Sequence, residues 1–302
     1  MAWTDPDSWA TRLVSGDPWM ILLAFLITLT LPVLLHFYYY TSSRRVDFTP
    51  TFLLLGPSGS GKTSLLTLLQ QHSTSSDSSE AATTRISQIP STTKLLLPAS
   101  VPLASNKYRS KNDHALQDAE RHRAAYNMID TPGHGKLREE QALSHLQNQA
   151  LRGIIFVVDS GALDSTDPAA LRDTASYLHD ILFTLQSRKT GKGTTKDVHD
   201  IPVLVAANKQ DLFTALPAGA VRDRLQNEIE RVKESRRKGI STVGKEDNED
   251  EEVLGGGGEE KFSFKLMQEE YGIDVDVIGG AVKGEEAGKG VGKWEEWLGG
   301  LL

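Results

Sequence analysis

Cysteine is absent from all 302 residues, which excludes disulfides and thiolate metal sites and agrees with a cytosolic domain. Among 8 histidines, only His134 stands in a motif. No basic stripe dominates: 33 Lys and Arg against 40 Asp and Glu leave a net charge of −7, so direct nucleic-acid binding is not expected. Internal repeats are missing too. The most telling absence is local. From Pro18 to Ser43 there is no Asp, Glu, Lys or Arg.

Within that uncharged stretch Met20 to Tyr40 is almost wholly apolar, about 31 Å long as a helix and enough to cross a bilayer. Trp19 at one end and Tyr38, Tyr39 and Tyr40 at the other sit where interfacial aromatic belts belong. Pro32 is a kink that membrane helices tolerate. A cleaved signal peptide and a buried core helix are the competing readings. Against the first stand an acidic start (Asp5, Asp7 and Asp17 against Arg12), the length of the run and the lack of a small-residue cleavage site. Arg44 and Arg45 follow at once, so the positive-inside rule puts everything after the span in the cytosol and the N-terminus across the membrane.

What is present after the span is denser in chemistry. GPSGSGKT, residues 56 to 63, follows the apolar run Thr51 to Leu55 and precedes the helix-like SLLTLLQQ of Ser64 to Gln71. Gly56, Gly61, Lys62 and Thr63 fill the fixed positions of a phosphate-binding loop. Such a loop curls backbone N–H groups around an anion at a helix N-terminus, and glycines keep side chains out of the way. Gly56, Ser58, Gly59, Ser60, Gly61, Lys62, Thr63 and Ser64 are therefore candidate nucleotide contacts. Lys62 would reach the outer phosphates and Thr63 would bind Mg²⁺. A Gly-rich turn is the bland alternative.

Asn208-Lys209-Gln210-Asp211 closes the continuous apolar run Ile201 to Ala207, which reads as a buried parallel strand. A carboxylate at Asp211 can accept from guanine N1–H and its exocyclic amine, and adenine would leave that carboxylate unpaired. Asn208 and Lys209 complete the motif. Between the two motifs lies Asp130-Thr131-Pro132-Gly133-His134. Asp130, at a strand end, can hold Mg²⁺ through water, and Gly133 can offer its N–H to a γ-phosphate. These three motifs, in this order, resemble the GTPase superfamily, and Ile154 to Ser160 resembles its central strand. The resemblance implies a P-loop GTPase domain of α/β class, doubly wound with a mostly parallel sheet, preceded here by a single transmembrane helix. GTP and Mg²⁺ are the implied cofactors.

An N-terminal span, a short linker and a GTPase carrying DxPGH resemble the family of signal recognition particle receptor β subunits. LRGIIFVVDS at Leu151 to Ser160, GKLRE after His134, and TTRISQIP around Thr84 add to the likeness. It implies that Thr84 is the switch ligand of Mg²⁺ beside Thr63 and Asp130, although Thr83, Thr92 and Thr93 remain open. It also implies the receptor α subunit as partner, the endoplasmic reticulum membrane as location, and contact with ribosome or translocon as a further option. The Arf and Sar relatives share the domain. A myristoyl anchor of the Arf kind is unavailable, because Ala2 follows Met1.

The expected organisation is a lumenal tail (1–18), a transmembrane helix (19–40), a linker (41–51) and a GTPase domain (52–302), with insertions near 71–82, 98–123, 188–199 and 239–260. These insertions read as mobile surface. Gly239 to Glu260 carries eight acids against one Lys and reads as a solvated linker more readily than as a docking tail. Pro168 to Ser187 and Pro217 to Lys238 have helical apolar stripes that read as core faces. After the candidate strand Ile273 to Ile278, Gly280-Ala281-Val282-Lys283 stands where the family has a Ser-Ala-Lys loop. The serine is missing, and the Val282 N–H is the candidate contact to the base oxygen. Two functions survive: a GTP-hydrolysing enzyme with Lys62 and His134 as catalytic residues, in the Arf/Sar manner, or a GTP-gated binding module with slow turnover. The resemblance favours the second.

Overall fold

The structure is a computed structural model describing residues 18–42, 49–74, 87–103, 123–148, 150–163, 168–190, 200–242, 254–255, 261–284 and 288–302. The chain forms two compact units, Met1–Phe48 and Thr49–Leu302. In the first, α1 (Pro18–Ser42) is a 25-residue helix with Pro32 inside it. Its polar side chains look inward to its own backbone: Thr28 and Thr30 donate to the carbonyls of Ala24 and Leu26, both at 2.7 Å. Self-satisfaction of this kind suits an apolar surrounding. Phe25 and Leu29 are among many large apolar residues left exposed on it. Side chains are described for Pro18, Trp19 and 21–36, and among the described residues no helix is long and apolar enough to cross a membrane.

The second unit is built on a six-stranded sheet of order β2-β3-β1-β4-β5-β6. The strands are β1 (Thr51–Leu55), β2 (Ser91–Leu96), β3 (Ala125–Asp130), β4 (Leu151–Asp159), β5 (Val203–Asn208) and β6 (Val275–Gly279). Only β2 runs antiparallel to its neighbour. Among the described residues six α-helices accompany them: α2 (Lys62–Thr74), α3 (Arg138–Gln141), α4 (Pro168–Thr190), α5 (Ala218–Thr242), α6 (Phe264–Tyr271) and α7 (Val291–Leu301). Chain order reverses on the two sides of β1, and ligands of open α/β sheets lie at the carboxyl ends of strands where this happens.

Strand alternation sorts the core into two layers. Leu53, Leu55, Phe156, Val158, Val203 and Val205 face α4, α5 and α6 through Leu178, Ile181, Leu225, Ile229 and Met267. Phe52, Leu54, Ile155, Val157 and Leu204 face α2 and α7 through Leu65, Leu69, Trp294 and Leu298. Both faces of the parallel strands are covered, which is why these strands read as unbroken apolar runs. The helical stripes of α4 and α5 are core faces, as their spacing indicates.

Several expected insertions are shorter at their edges than composition suggests. α2 continues to Thr74, and Ser73 Oγ accepts from the Leu96 N–H at 2.9 Å. Val101 is buried, and Arg123 donates to the carbonyls of Leu97, Ser73 and His72. Arg188 to Thr190 finish α4, where Lys189 donates to the Tyr271 carbonyl at the end of α6. Leu254, inside the acidic tract, is buried, and the Gly255 N–H reaches Gln186 Oε1 at 2.9 Å. A polar composition describes the average of a segment, whereas one anchoring side chain fixes its edge.

Candidate functional site

The turn after β1 is shaped by positive-φ glycines, and two of them have no room for a side chain. A Cβ on Gly56 (φ 139°) would lie 2.2 Å from the Val157 carbonyl oxygen, and one on Gly61 (φ 101°) would lie 2.3 Å from Asn208 Nδ2. The loop ends where α2 begins at Lys62, so Ser58 to Thr63 surround a helix N-terminus. Lys62 Nζ is folded back, donating to the carbonyls of Gly56 and Pro57, both at 2.8 Å. Burial lowers its pKa from 10.5 to about 8, with the Asp130 carboxylate pulling the other way and the Arg138 guanidinium adding to the fall. An amine held this way gains by meeting an anion.

Beside it lies a hard-oxygen cluster. The hydroxyls of Thr63 and Ser87 both donate to Asp130 Oδ2 at 2.8 Å and stand 3.0 Å apart. Asp130 is almost fully buried, and its Oδ1 has no partner among the described residues. One carboxylate and two hydroxyls fit Mg²⁺, which takes few protein ligands and leaves positions for water and phosphate. Among the described residues there is no group of three His, Cys, Asp or Glu that could hold a metal alone. Thr84 and Thr83 lie outside the described residues. Thr92 and Thr93 are in β2, opposite Ile129 and Met128. Among the described residues, the hydroxyl that joins Thr63 at Asp130 is that of Ser87, which sequence spacing missed because the chain must return toward β2 to bring it there.

The loop after β3 presses on the phosphate loop. Thr131 Oγ1 donates to the Leu54 carbonyl at 2.8 Å. Gly133 is buried, and a Cβ there would meet Lys62 Nζ at 2.5 Å and Ser58 N at 2.7 Å. His134 is exposed at the mouth of a cavity of about 280 Å³ that Ser58, Gly133, Arg138 and Asp159 also line.

At the other end, β5 delivers Asn208 into the interior. Its Nδ2 donates to the Ser60 carbonyl at 2.8 Å, and its Oδ1 accepts from the Val282 N–H at 3.0 Å. One side chain thus ties the phosphate loop to the last loop of the sheet. The Val282 N–H, expected at the base oxygen, is engaged by Asn208 in this state. Lys209 has φ 64° and pairs with Asp159 at 2.5 Å. Asp211 Oδ1 is buried without a partner among the described residues, and Gly284 (φ 108°) leaves the space that Asp211 Oδ2 fills, 2.1 Å from where a Cβ would stand. Contacts thus join the three motifs: Thr63 reaches Asp130, Gly133 abuts Lys62 and Ser58, and Asn208 reaches Ser60.

The chain is similar to known proteins of one family. The family described as signal recognition particle receptor beta subunit matches residues 47–270. The signal recognition particle receptor subunit beta of Saccharomyces cerevisiae is 30% identical over 267 residues, 85% of this chain and 86% of the relative. A solved receptor SRb-GTP/SRX complex from Chaetomium thermophilum has a TM-score of 0.65 and 32% identity over 84% of this chain and 100% of its own. The SRb-GDP-Mg structure from the same organism has a TM-score of 0.58 and 34% identity, covering 84% and 99%. This chain belongs to the family of signal recognition particle receptor β subunits.

Proposed function

We propose that the chain is the GTP-binding β subunit of a signal recognition particle receptor, docking the receptor α subunit when loaded with GTP, in co-translational protein targeting. The observation that carries this reading is the pair of buried carboxylate oxygens without a partner among the described residues, Asp130 Oδ1 beside Thr63 and Asp211 Oδ1 beside Gly284. A buried carboxylate without a partner is costly, and a Mg²⁺–guanine nucleotide supplies partners for both. Relatives solved with GTP and SRX, and with GDP and Mg, support the same assignment.

In this reading the loop from Gly56 to Ser64 cradles the phosphates and Lys62 offsets their charge. Thr63, Asp130 and a switch hydroxyl hold Mg²⁺; that hydroxyl is Ser87, with Thr84 the sequence-based alternative. Asn208, Lys209 and Asp211 take the base, with the 280–283 loop beside them. Gly133 senses the γ-phosphate. His134 orients the attacking water, and its imidazole presents donor and acceptor at opposed edges, so intrinsic turnover is slow. α1, uncharged along its length, forms a single membrane anchor over 19–40 at the endoplasmic reticulum, with residues 1–18 lumenal and the domain 52–302 cytosolic.

Equilibrium titration with a fluorescent GTP analogue tests the nucleotide assignment. GTP and GDP, but not a large excess of ATP, should displace it, and Mg²⁺ should tighten it. Displacement by ATP as readily as by GTP would contradict the reading. Capture of purified receptor α subunit by the GTP-loaded form alone tests the gating.

A further inference from the structure

Arg138 stands outside the three nucleotide motifs, yet its guanidinium is used on every side. Nη1 and Nη2 donate to Asp173 Oδ1 and Oδ2 at 2.9 and 2.6 Å, a bidentate fork onto α4. Cζ lies 4.4 Å from the centroid of the Tyr177 ring, also on α4. Nε donates to the Gly133 carbonyl at 3.2 Å. Its side chain is 13% exposed while that of Asp173 is 53% exposed, so the pair closes over the ring from the solvent side. Burial raises the Tyr177 phenol above its ordinary pKa of 10.0, and the ring facing the cation stays neutral.

The peptide joining Gly133 to His134 is thereby pinned to α4, a helix whose inner face is core. That peptide carries the Gly133 carbonyl and the His134 N–H, and the Gly133 N–H lies one Cα away on the peptide before it, so the contact holds one side of Gly133 and the start of His134. Gly133 has no freedom toward the phosphate loop either, being pressed against Lys62 and Ser58. Without Arg138 the 131–138 loop keeps its hydrogen bond at Thr131 but loses its hold beyond Gly133.

We propose that Arg138 is a positioning residue, a latch that fixes the Gly133–His134 peptide to α4 through Asp173 and Tyr177 and so makes retention of a γ-phosphate depend on that helix. The proposal rests on the guanine-nucleotide reading above. It acts through Gly133 and touches no phosphate itself. Lysine cannot replace it, because an ammonium lacks the planar fork that reaches carboxylate, ring and carbonyl together.

Release of fluorescent GTP and GDP analogues from the full chain in detergent separates the possibilities. Arg138→Ala should speed GTP release on the order of tenfold and leave GDP release within about twofold, since only GTP engages Gly133. Arg138→Lys should recover little of this. Asp173→Asn is the sharper variant, because it sits at the surface and removes a negative charge. The latch predicts faster GTP release for it, whereas a bare charge effect on the phosphates predicts slower release. Equal acceleration of GTP and GDP, or slower GTP release in Asp173→Asn, overturns the latch. If the unaltered chain fails to prefer guanine over adenine nucleotides, the nucleotide reading itself falls.

Discussion

The two ends of the crevice are built on different terms. At the phosphate end the protein's own groups occupy each other: Lys62 rests on two carbonyls of its own loop, Thr63 and Ser87 share one oxygen of Asp130, and Gly133 leans on the amine. At the base end a frame is already standing, with Asn208 bridging Ser60 and Val282 and one carboxylate oxygen of Asp211 left without a partner among the described residues. The first arrangement must be exchanged for contacts with an anion; the second only waits to be filled. On the proposed guanine-nucleotide reading, specificity belongs to the end that holds Asp211 and switching to the end that holds Lys62 and Asp130.

The largest expected effect breaks the base end. Asp211→Asn should lower GTP affinity by on the order of 10³-fold and admit xanthine nucleotides, because an amide matches the altered base edge while clashing with guanine donors. Competition binding with XTP and GTP reads both; unchanged GTP affinity would remove Asp211 from the site.

Lys62→Met breaks the other end, with a loss of about 10²-fold in GTP affinity. The empty protein should respond in the opposite sense. Because the folded pKa of about 8 lies below the unfolded 10.5, the unfolded chain binds more protons between those values. Stability thus rises with pH from about 8 to 10.5, and below 8 the full cost of burying the ammonium is present. Lys62→Met should remove that cost, on the order of 3 kcal/mol at most, and flatten the rise. Chemical denaturation of the nucleotide-free protein at pH 7 and pH 10 checks the sign.

Asn208→Ala cuts the tie between the two ends. It strands the Ser60 carbonyl and the Val282 N–H, and denaturant titration should show a loss of about 1–3 kcal/mol before any nucleotide is added. Smallest of the set, Ser87→Ala should weaken the Mg²⁺ dependence of nucleotide release several-fold with little change in the absence of Mg²⁺. No change in either condition would return the switch hydroxyl to Thr84 or its neighbours.

The same contrast governs what the sequence discloses. The loop of Gly56 to Thr63, Asn208 to Asp211 and the apolar strands are legible because their chemistry needs fixed spacing within one short run. β2 is not. Its residues Ser91 to Leu96 are mostly exposed at the sheet edge, and their strand form comes from pairing with Ala125 to Asp130, a partner far along the chain. Ser87 and Arg138 are hidden for the same reason, since a lone serine or arginine gains its meaning only from Asp130 or Asp173 across the fold. Leu254 is an apolar residue in an acidic, Gly-rich tract, and neither feature announces its place in the hydrophobic core. α1 is the converse: its helix and uncharged surface are plain in the sequence.

Amide hydrogen exchange of the GTP-loaded against the GDP-loaded protein tests the division between the two ends most directly. Both nucleotides carry the same base, so the account predicts added protection with GTP across 131–138 and around Ser87, and no difference at 208–211 or 280–284. Equal differences at both ends, or a change confined to the base end, would contradict it.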